Sequence, residues 1–249
     1  MKLAVAGGTG MVGRHVVEHA RRAGHDIVIL SRSEGVDVRS GAGLPDALKG
    51  VDTIIDVTNA GTTEQGPATE FFTQEADTLQ RVGAEQGVGH IVTLSIVGID
   101  RAPAGYFAAK LEHERAAAQG TVPVTIMRST QFHEFPAQSI GWTLQDTTAH
   151  IPNRRVQTVA ARTAACVLVE IAQGAPAGRA PDLAGPDQAD LVDLARAFVR
   201  ARELDIEVLA DDSANATTVG ALLPTAAARL EGPTFQEWLA GEDAAALTI

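Results

Sequence analysis

Tyr106 and Lys110 form the pair in this chain whose residue types and spacing suit acid–base chemistry. They stand four apart in Gly-Tyr-Phe-Ala-Ala-Lys-Leu-Glu-His-Glu-Arg, a run of good helix formers after Pro103. A helix there would set both side chains on one face. A lysine ammonium beside a phenol favours the phenolate, so a pKa of roughly 10 is expected to fall toward the range of a working acid/base. Tyr106 is the only tyrosine, and the lysines are Lys2, Lys49 and Lys110, so the spacing is seldom matched by chance. The competing reading is a half-buried tyrosine beside a solvated lysine. Ser95 closes the apolar run His90–Ser95, where its hydroxyl would donate a hydrogen bond to a substrate carbonyl.

A second constellation opens the chain. Leu3-Ala4-Val5-Ala6 is a short apolar run that stops at two glycines, as a buried parallel strand ends at a sharp turn. Gly7, Gly10 and Gly13 then recur every three residues, and an amphipathic helix follows with Val12, Val16, Val17 and Ala20 on one face. The first glycine permits the turn, the second lets backbone N–H groups approach a phosphate, and the third lets helix and strand pack closely. Gly7, Thr9, Gly10, Met11, Val12 and Gly13 are therefore expected to hold a dinucleotide pyrophosphate at the helix N-terminus. The tip of the next strand, Asp26–Leu30, carries Ser31-Arg32-Ser33 in place of the acid that would bind the ribose hydroxyls of NAD. A guanidinium fork and two hydroxyls suit a 2′-phosphate, so NADP is preferred, with NAD as the alternative cofactor. The competing reading of Arg32 is a solvated surface arginine. Asp37 and Val38 would close a short third strand, Val36–Val38, and face the adenine, unless Asp37 caps a turn.

These residues need a frame, and the pattern supplies one. Strands at Thr53–Val57, His90–Ser95 and Val124–Arg128 alternate with helices at Leu44–Lys49, about 68–86, and the Tyr106 segment. Phe72, Ala76, Leu79 and Gly83 mark the buried face of the longer helix. Such alternation argues for an α/β fold, a doubly wound parallel sheet covered on both sides, with ligands beyond the carboxyl ends of the strands.

With 249 residues, 45% of them hydrophobic and 20% charged, the chain reads as one globular domain. A net charge of −11 argues against a nucleic-acid surface. The single cysteine, Cys166, reads as a small buried residue and fits a reducing compartment. The first strand begins at once, which leaves no room for a signal peptide, and no apolar run reaches the roughly 18 residues of a membrane span. A cytoplasmic protein with a small-molecule substrate, and neither nucleic acid nor membrane as partner, is expected. No cluster of His, Cys and Asp has metal-ligand spacing, and no Gly-x-Ser-x-Gly elbow is present.

Together these motifs resemble the short-chain dehydrogenase/reductase superfamily, in its extended and atypical branches, including the NmrA-like and NAD(P)H-binding groups. The resemblance covers about residues 1–135 with specific motifs. It implies a single Rossmann-type domain over 1–249, with 1–135 as the dinucleotide-binding core and 136–249 as a small substrate-side portion. It implies that Tyr106 is the catalytic acid/base, that Lys110 also holds the nicotinamide ribose, and that Ser95 orients the carbonyl. Thr58, Asn59 and Ala60 would line the cofactor, with Asn59-Ala60-Gly61 matching the family's Asn-Ala-Gly. Ser129 and Thr130, in Arg128–Phe132, would lie beside the nicotinamide. The activity implied is NADP-dependent hydride transfer to or from a small carbonyl or enone. A non-catalytic NADP-sensing protein is the alternative. A sugar-nucleotide epimerase or dehydratase ranks third, because the chain looks short for one.

Beyond the sixth strand the pattern is weaker. Phe132, His133 and Trp142 are assigned to the substrate wall, with a simply packed histidine as the competing reading of His133. Arg154 and Arg155 read as a solvated pair. Leu191, Leu194, Ala195, Phe198 and Val199 mark a helix face, Ile206–Leu209 a late strand, and Phe235–Leu239 a final helix turn. Asp211–Thr218 reads as a loop.

Overall fold

The computed structural model describes residues 1–213 and 220–247, so residues 214–218 of the expected loop lie outside the described residues. In chain order the elements begin β1 (Lys2–Ala6), α1 (Met11–Arg22), β2 (Asp26–Leu30), α2 (Leu44–Ala47), β3 (Thr53–Asp56), α3 (Gln65–Gln86), β4 (His90–Ile96), α4 (Tyr106–Gln119) and β5 (Val124–Ser129). Then come α5 (Phe135–Thr143), β6 (Leu144–Gln145), β7 (Thr148–Pro152), β8 (Arg155–Val156), α6 (Ala161–Gln173), β9 (Gly178–Arg179), β10 (Leu183–Ala184) and β11 (Ala189–Asp190). The chain continues with α7 (Leu191–Ala201), β12 (Glu207–Asp211), β13 (Arg229–Leu230), α8 (Phe235–Leu239) and α9 (Glu242–Ala245). Two compact units divide it: 1–128 with 162–181, and 129–161 with 182–249.

The first unit is the expected α/β layer. Its strands run in the order β5-β4-β3-β1-β2. β1 pairs in parallel with both β2 and β3, and β3 in parallel with β4. Leu3, Ala4, Val5 and Ala6 are fully buried because a strand flanked on both sides and covered on both faces has no wet face. α1 buries Val12, Val16, Val17 and Ala20, and α3 buries Phe72, Ala76, Leu79 and Gly83, as the spacing requires.

The expected strand Val36–Val38 does not form. After β2 the chain makes a 3₁₀ turn at Arg32–Glu34 and then folds back on itself. Asp37 Oδ1 accepts from the Arg39 N–H at 2.9 Å, while the Asp37 carbonyl accepts from Gly41 N at 2.8 Å. An Asx turn takes the backbone groups a strand ladder would need, so the turn reading of Asp37 is the one realised.

The glycine spacing has a direct steric cause. Gly7 has φ +76° with its Cα against the backbone of Val57 and Thr58, where a Cβ would meet Val57 O at 2.9 Å. A Cβ on Gly13 would stand 2.1 Å from Gly7 O. α1 can therefore sit against the end of β1 only if position 13 is bare.

The second unit holds shorter elements. β7 pairs with β12 in parallel and with β6 antiparallel, and β8 pairs with β11. Ile140, Ile151, Leu191, Phe198 and Trp238 lie in its core. α8 starts with a capping box, in which Thr234 and Glu237 satisfy each other's backbone N–H groups. Most of these strands have two residues, too few for alternation to register in sequence. Replacing Gly13 by Ala should cost about 1–3 kcal/mol through forced displacement of backbone. Urea unfolding of the variant measures this, and wild-type stability would contradict the close approach.

Candidate active site

The carboxyl end of β3, the loop after it, and the facing sides of α3 and α4 gather the chemistry of the first unit. Tyr106 opens α4, and its hydroxyl donates to Asn59 Oδ1 at 3.1 Å. Thr58 donates from both its N–H and its hydroxyl to Asp56 Oδ1, at 2.9 and 2.8 Å. Ala60 and Tyr106 pack against Phe72, whose ring meets the phenol edge-on at 5.8 Å. Lys110 lies one turn along α4, 4% exposed, with Nζ 4.4 Å from the Phe72 ring centroid. It donates to the Leu94 carbonyl at 3.0 Å and lies 2.8 Å from His113 Nδ1. Tyr106 and Lys110 thus share a helix face, as the spacing predicted.

The electrostatics differ from expectation. The Tyr106 phenol is pushed up to about 12, first by burial and then by the nearby Asp56 carboxylate. The expected depression by Lys110 is absent because the ammonium is directed to Leu94 and His113. Burial in turn lowers the Lys110 pKa, against the pull of Asp56, Glu75 and Glu114.

Three residues that sequence reasoning passed over complete the cluster: Asp56, Glu75 and His113. His113 Nε2 lies 2.9 Å from Asp56 Oδ2 and 3.1 Å from Glu75 Oε2, and all three side chains are at most 2% exposed. Phe72 stacks on the imidazole, with centroids 4.7 Å apart. Burial and the Lys110 charge oppose the His113 cation, but the two carboxylates outweigh them and its pKa rises. Burial would also raise Asp56, yet His113 and Lys110 hold it well below the carboxylate range. Burial, followed by the Asp56 charge, pushes Glu75 up to about 7. Among the described residues, this trio brings its ligand-type atoms within 4.8 Å of one another. Lys110 Nζ meets the other nitrogen of His113, so positive charge is held against the two carboxylates. A signal was present, since His113 stands three after Lys110 and seven after Tyr106, on the same helical face. Asp56 lies inside the apolar run of β3, and Glu75 lies within the apolar face of α3.

Ser95 does not join Tyr106. It is 1% exposed, and its buried hydroxyl has no hydrogen-bond partner among the described residues. The neighbouring polar group is Glu114, which Arg128 holds. Arg128 donates Nε and a terminal nitrogen to Glu114, both at 2.7 Å, and its other nitrogen to Asp100, also at 2.7 Å. This clamp ties β5, α4 and the loop before Tyr106 together.

The dinucleotide cradle passes a test of fit. Gly7 and Gly13 leave no room for side chains, and Gly10 begins α1 without a side-chain cap. No acid occupies the first helical turn, so the positive dipole end meets no side-chain carboxylate there. Thr9 and Gly10 are exposed, Met11 half-buried and Val12 buried. At the tip of β2, Ser31 and Ser33 hydroxyls bond each other at 2.9 Å, and Arg32 is exposed. Asp37 lies in the turn described above, and Val38 is half-buried.

The second unit holds the remaining assigned residues. Ser129 and Thr130 are buried, and Thr130 N–H donates to the Leu183 carbonyl at 2.9 Å. Phe132 is half-buried and bridges to Val159. His133 is 1% exposed, between Thr158 Oγ1 at 2.7 Å and the Pro233 carbonyl at 3.1 Å, and it packs against Phe235 and Trp238. Burial pushes its pKa down to about 4, so it is a neutral, packed imidazole. Trp142 is 67% exposed, edge-on to Phe135. Arg154 is not solvated as expected: its guanidinium lies 5.3 Å from the Phe135 ring centroid, whereas Arg155 is exposed and pairs with Asp190. In the first unit Cys166 is half-buried on α6, with Sγ 3.4 Å from His19 Nδ1.

No helix among the described residues is long and apolar enough to cross a membrane. Residues 3–100 match the model of the NAD dependent epimerase/dehydratase family. No curated protein matches the chain. Among solved structures, MoeE5 in complex with UDP-glucose and NAD is similar, with TM-score 0.71 and 17% identity over 98% of this chain and 95% of that one. UDP-N-acetylglucosamine 4-epimerase from Bacillus cereus has TM-score 0.66 and 20% identity, over 84% and 85% of the two chains. The NADPH complex of the quinone oxidoreductase QOR2 from Escherichia coli has TM-score 0.64 and 18% identity, over 84% and 77%.

Truncating Arg128 to Met should cost about 3–5 kcal/mol by leaving Glu114 buried and unpaired. Removing the second charge with Glu114→Gln should restore part of that loss, read in a double-mutant cycle of unfolding free energies. Additive losses would contradict the clamp. Residues 3–100 carry the pattern of the NAD dependent epimerase/dehydratase family, and the chain has the Rossmann-type fold of short-chain dehydrogenase/reductase structures.

Proposed function

We propose that the protein is an NADP-dependent oxidoreductase that moves hydride between the nicotinamide and a small carbonyl or enone, with Tyr106 as the proton donor. The observation that carries this reading is the placement of Tyr106 and Lys110 on one face of α4, over Phe72 and beside Asn59. Gly7, Gly10 and Gly13 with the N-terminus of α1 would hold the pyrophosphate, and Arg32 with Ser31 and Ser33 the 2′-phosphate. The bound nicotinamide supplies the hydride. Tyr106 keeps its proton at Oη near neutral pH, since its pKa stands at about 12. A phenol so held suits donation to a carbonyl oxygen that gathers negative charge, and so favours the reductive direction. Asn59 takes the phenol hydrogen bond in the resting arrangement, and Lys110 brings positive charge beside the site. A cytoplasmic setting accords with the composition.

Retention of both Tyr106 and Lys110 favours chemistry over a non-catalytic NmrA-like sensor. The family match over residues 3–100 favours a second reading, NAD-dependent chemistry on a sugar nucleotide. The strand tip separates the two. Arg32→Ala should weaken NADPH binding by about ten- to hundredfold and leave NADH unchanged. Equal loss for both, or none, would favour the second reading. Tyr106→Phe should lower turnover on carbonyls, enones or quinones by at least about a hundredfold with NADPH affinity nearly intact. Full activity in that variant would overturn its role.

A further inference from the structure

The contact between Lys110 Nζ and His113 Nδ1, at 2.8 Å, sets a chemical condition on both groups. An ammonium and an imidazolium each present only N–H donors in that direction, so one partner must offer a lone pair. Either Lys110 is the cation and donates to a neutral imidazole, or His113 is the cation and donates to a neutral amine. One positive charge, not two, fits this bond. In both cases His113 Nε2 carries hydrogen, because it faces Asp56 Oδ2 at 2.9 Å and Glu75 Oε2 at 3.1 Å.

We propose that His113 is a positioning residue for Lys110: through the Nδ1–Nζ bond it shares one positive charge with the lysine, while Asp56 and Glu75 anchor the imidazole and supply the compensating charge. Moving the proton from Lys110 Nζ to His113 Nδ1 leaves the charge of the cluster unchanged and requires no water. This rests on the reading of Lys110 as part of the cofactor site. It extends that reading to three residues behind the site that do not contact the substrate face.

The surroundings favour sharing. Asp56 faces the imidazole from β3, Glu75 from α3, and Lys110 from its own helix, with Glu114 acting on Lys110 from further along α4 and the Leu94 carbonyl from β4. Phe72 covers both groups, stacked on the imidazole and 4.4 Å from Lys110 Nζ. Burial lowers Lys110, while the carboxylates raise His113 against burial, so the two proton affinities approach each other. Glu75, pushed up to about 7, changes the negative charge beside the pair near neutral pH.

The test uses the full chain and NADPH as the probe. Its dissociation constant is measured by fluorescence for wild type, His113→Gln and Glu75→Gln across about pH 6 to 9. Glutamine at 113 cannot take up a proton, so Lys110 should titrate alone, and the pH midpoint of binding should move by more than about one unit. Above the Glu75 pKa, Glu75→Gln removes a negative charge without changing size, and the midpoint should fall. Unchanged midpoints in both variants, with NADPH still bound, would overturn the inference and spare the cofactor reading. Failure of wild type to bind NADPH would overturn both. Should His113→Gln not fold, ¹⁵N spectra of histidine-labelled wild type decide the tautomer directly. Hydrogen on Nε2 throughout and a proton-accepting Nδ1 are expected, and an Nδ1–H imidazole with bare Nε2 would overturn the proposal.

Discussion

Four ionisable side chains, Asp56, Glu75, Lys110 and His113, lie almost wholly out of water in the first unit, and the architecture around them follows from keeping those charges compensated. An isolated buried charge is not tolerated; each must be paired and hydrogen-bonded. Here the pairing is reciprocal. His113 lies between the carboxylates on one side and Lys110 on the other, and Thr58 satisfies the second oxygen of Asp56. Since the four groups come from β3, α3 and α4, the cluster fixes the register of two helices against the end of a strand. Tyr106 inherits its position from that register.

The same arrangement explains the state of the phenol. A lysine pointing at Tyr106 would favour the phenolate, but this lysine is held by Leu94 and His113, and the carboxylate of Asp56 acts on the phenol instead. The tyrosine is thus kept as an acid. On the other side of β1, the glycine cradle works by steric exclusion: bare positions at Gly7 and Gly13 let backbone approach backbone, and leave N–H groups, not side chains, at the start of α1. One end of the sheet therefore joins a helix N-terminus free of acidic side chains to a protonated phenol over a buried lysine.

Much of this was legible in sequence where a single element carries the signal. β1, β2, the buried faces of α1 and α3, and the shared face of Tyr106 and Lys110 all follow from periodicity and spacing. Val36–Val38 was misread because two valines of β propensity weigh less than an Asx turn at the Asp37 between them. Spacing could place His113 on the face of Tyr106 and Lys110, but its partners Asp56 and Glu75 come from two other elements and meet it only in the fold. Ser95 was placed correctly near the end of a strand, but the burial of its hydroxyl depends on the packing of other elements around it. In the second unit, two-residue strands carry no alternation, and the burial of His133 depends on Phe235 and Trp238, far along the chain.

The central claim is that the cradle at α1 and the Tyr106–Lys110 face serve one bound dinucleotide. A crystal structure of the protein with NADPH tests it most directly. The account predicts density for the pyrophosphate at the backbone of Gly10–Gly13, with the nicotinamide end beside Tyr106 and Lys110 still held by His113. A dinucleotide bound elsewhere, or a nicotinamide directed away from Tyr106, would contradict it.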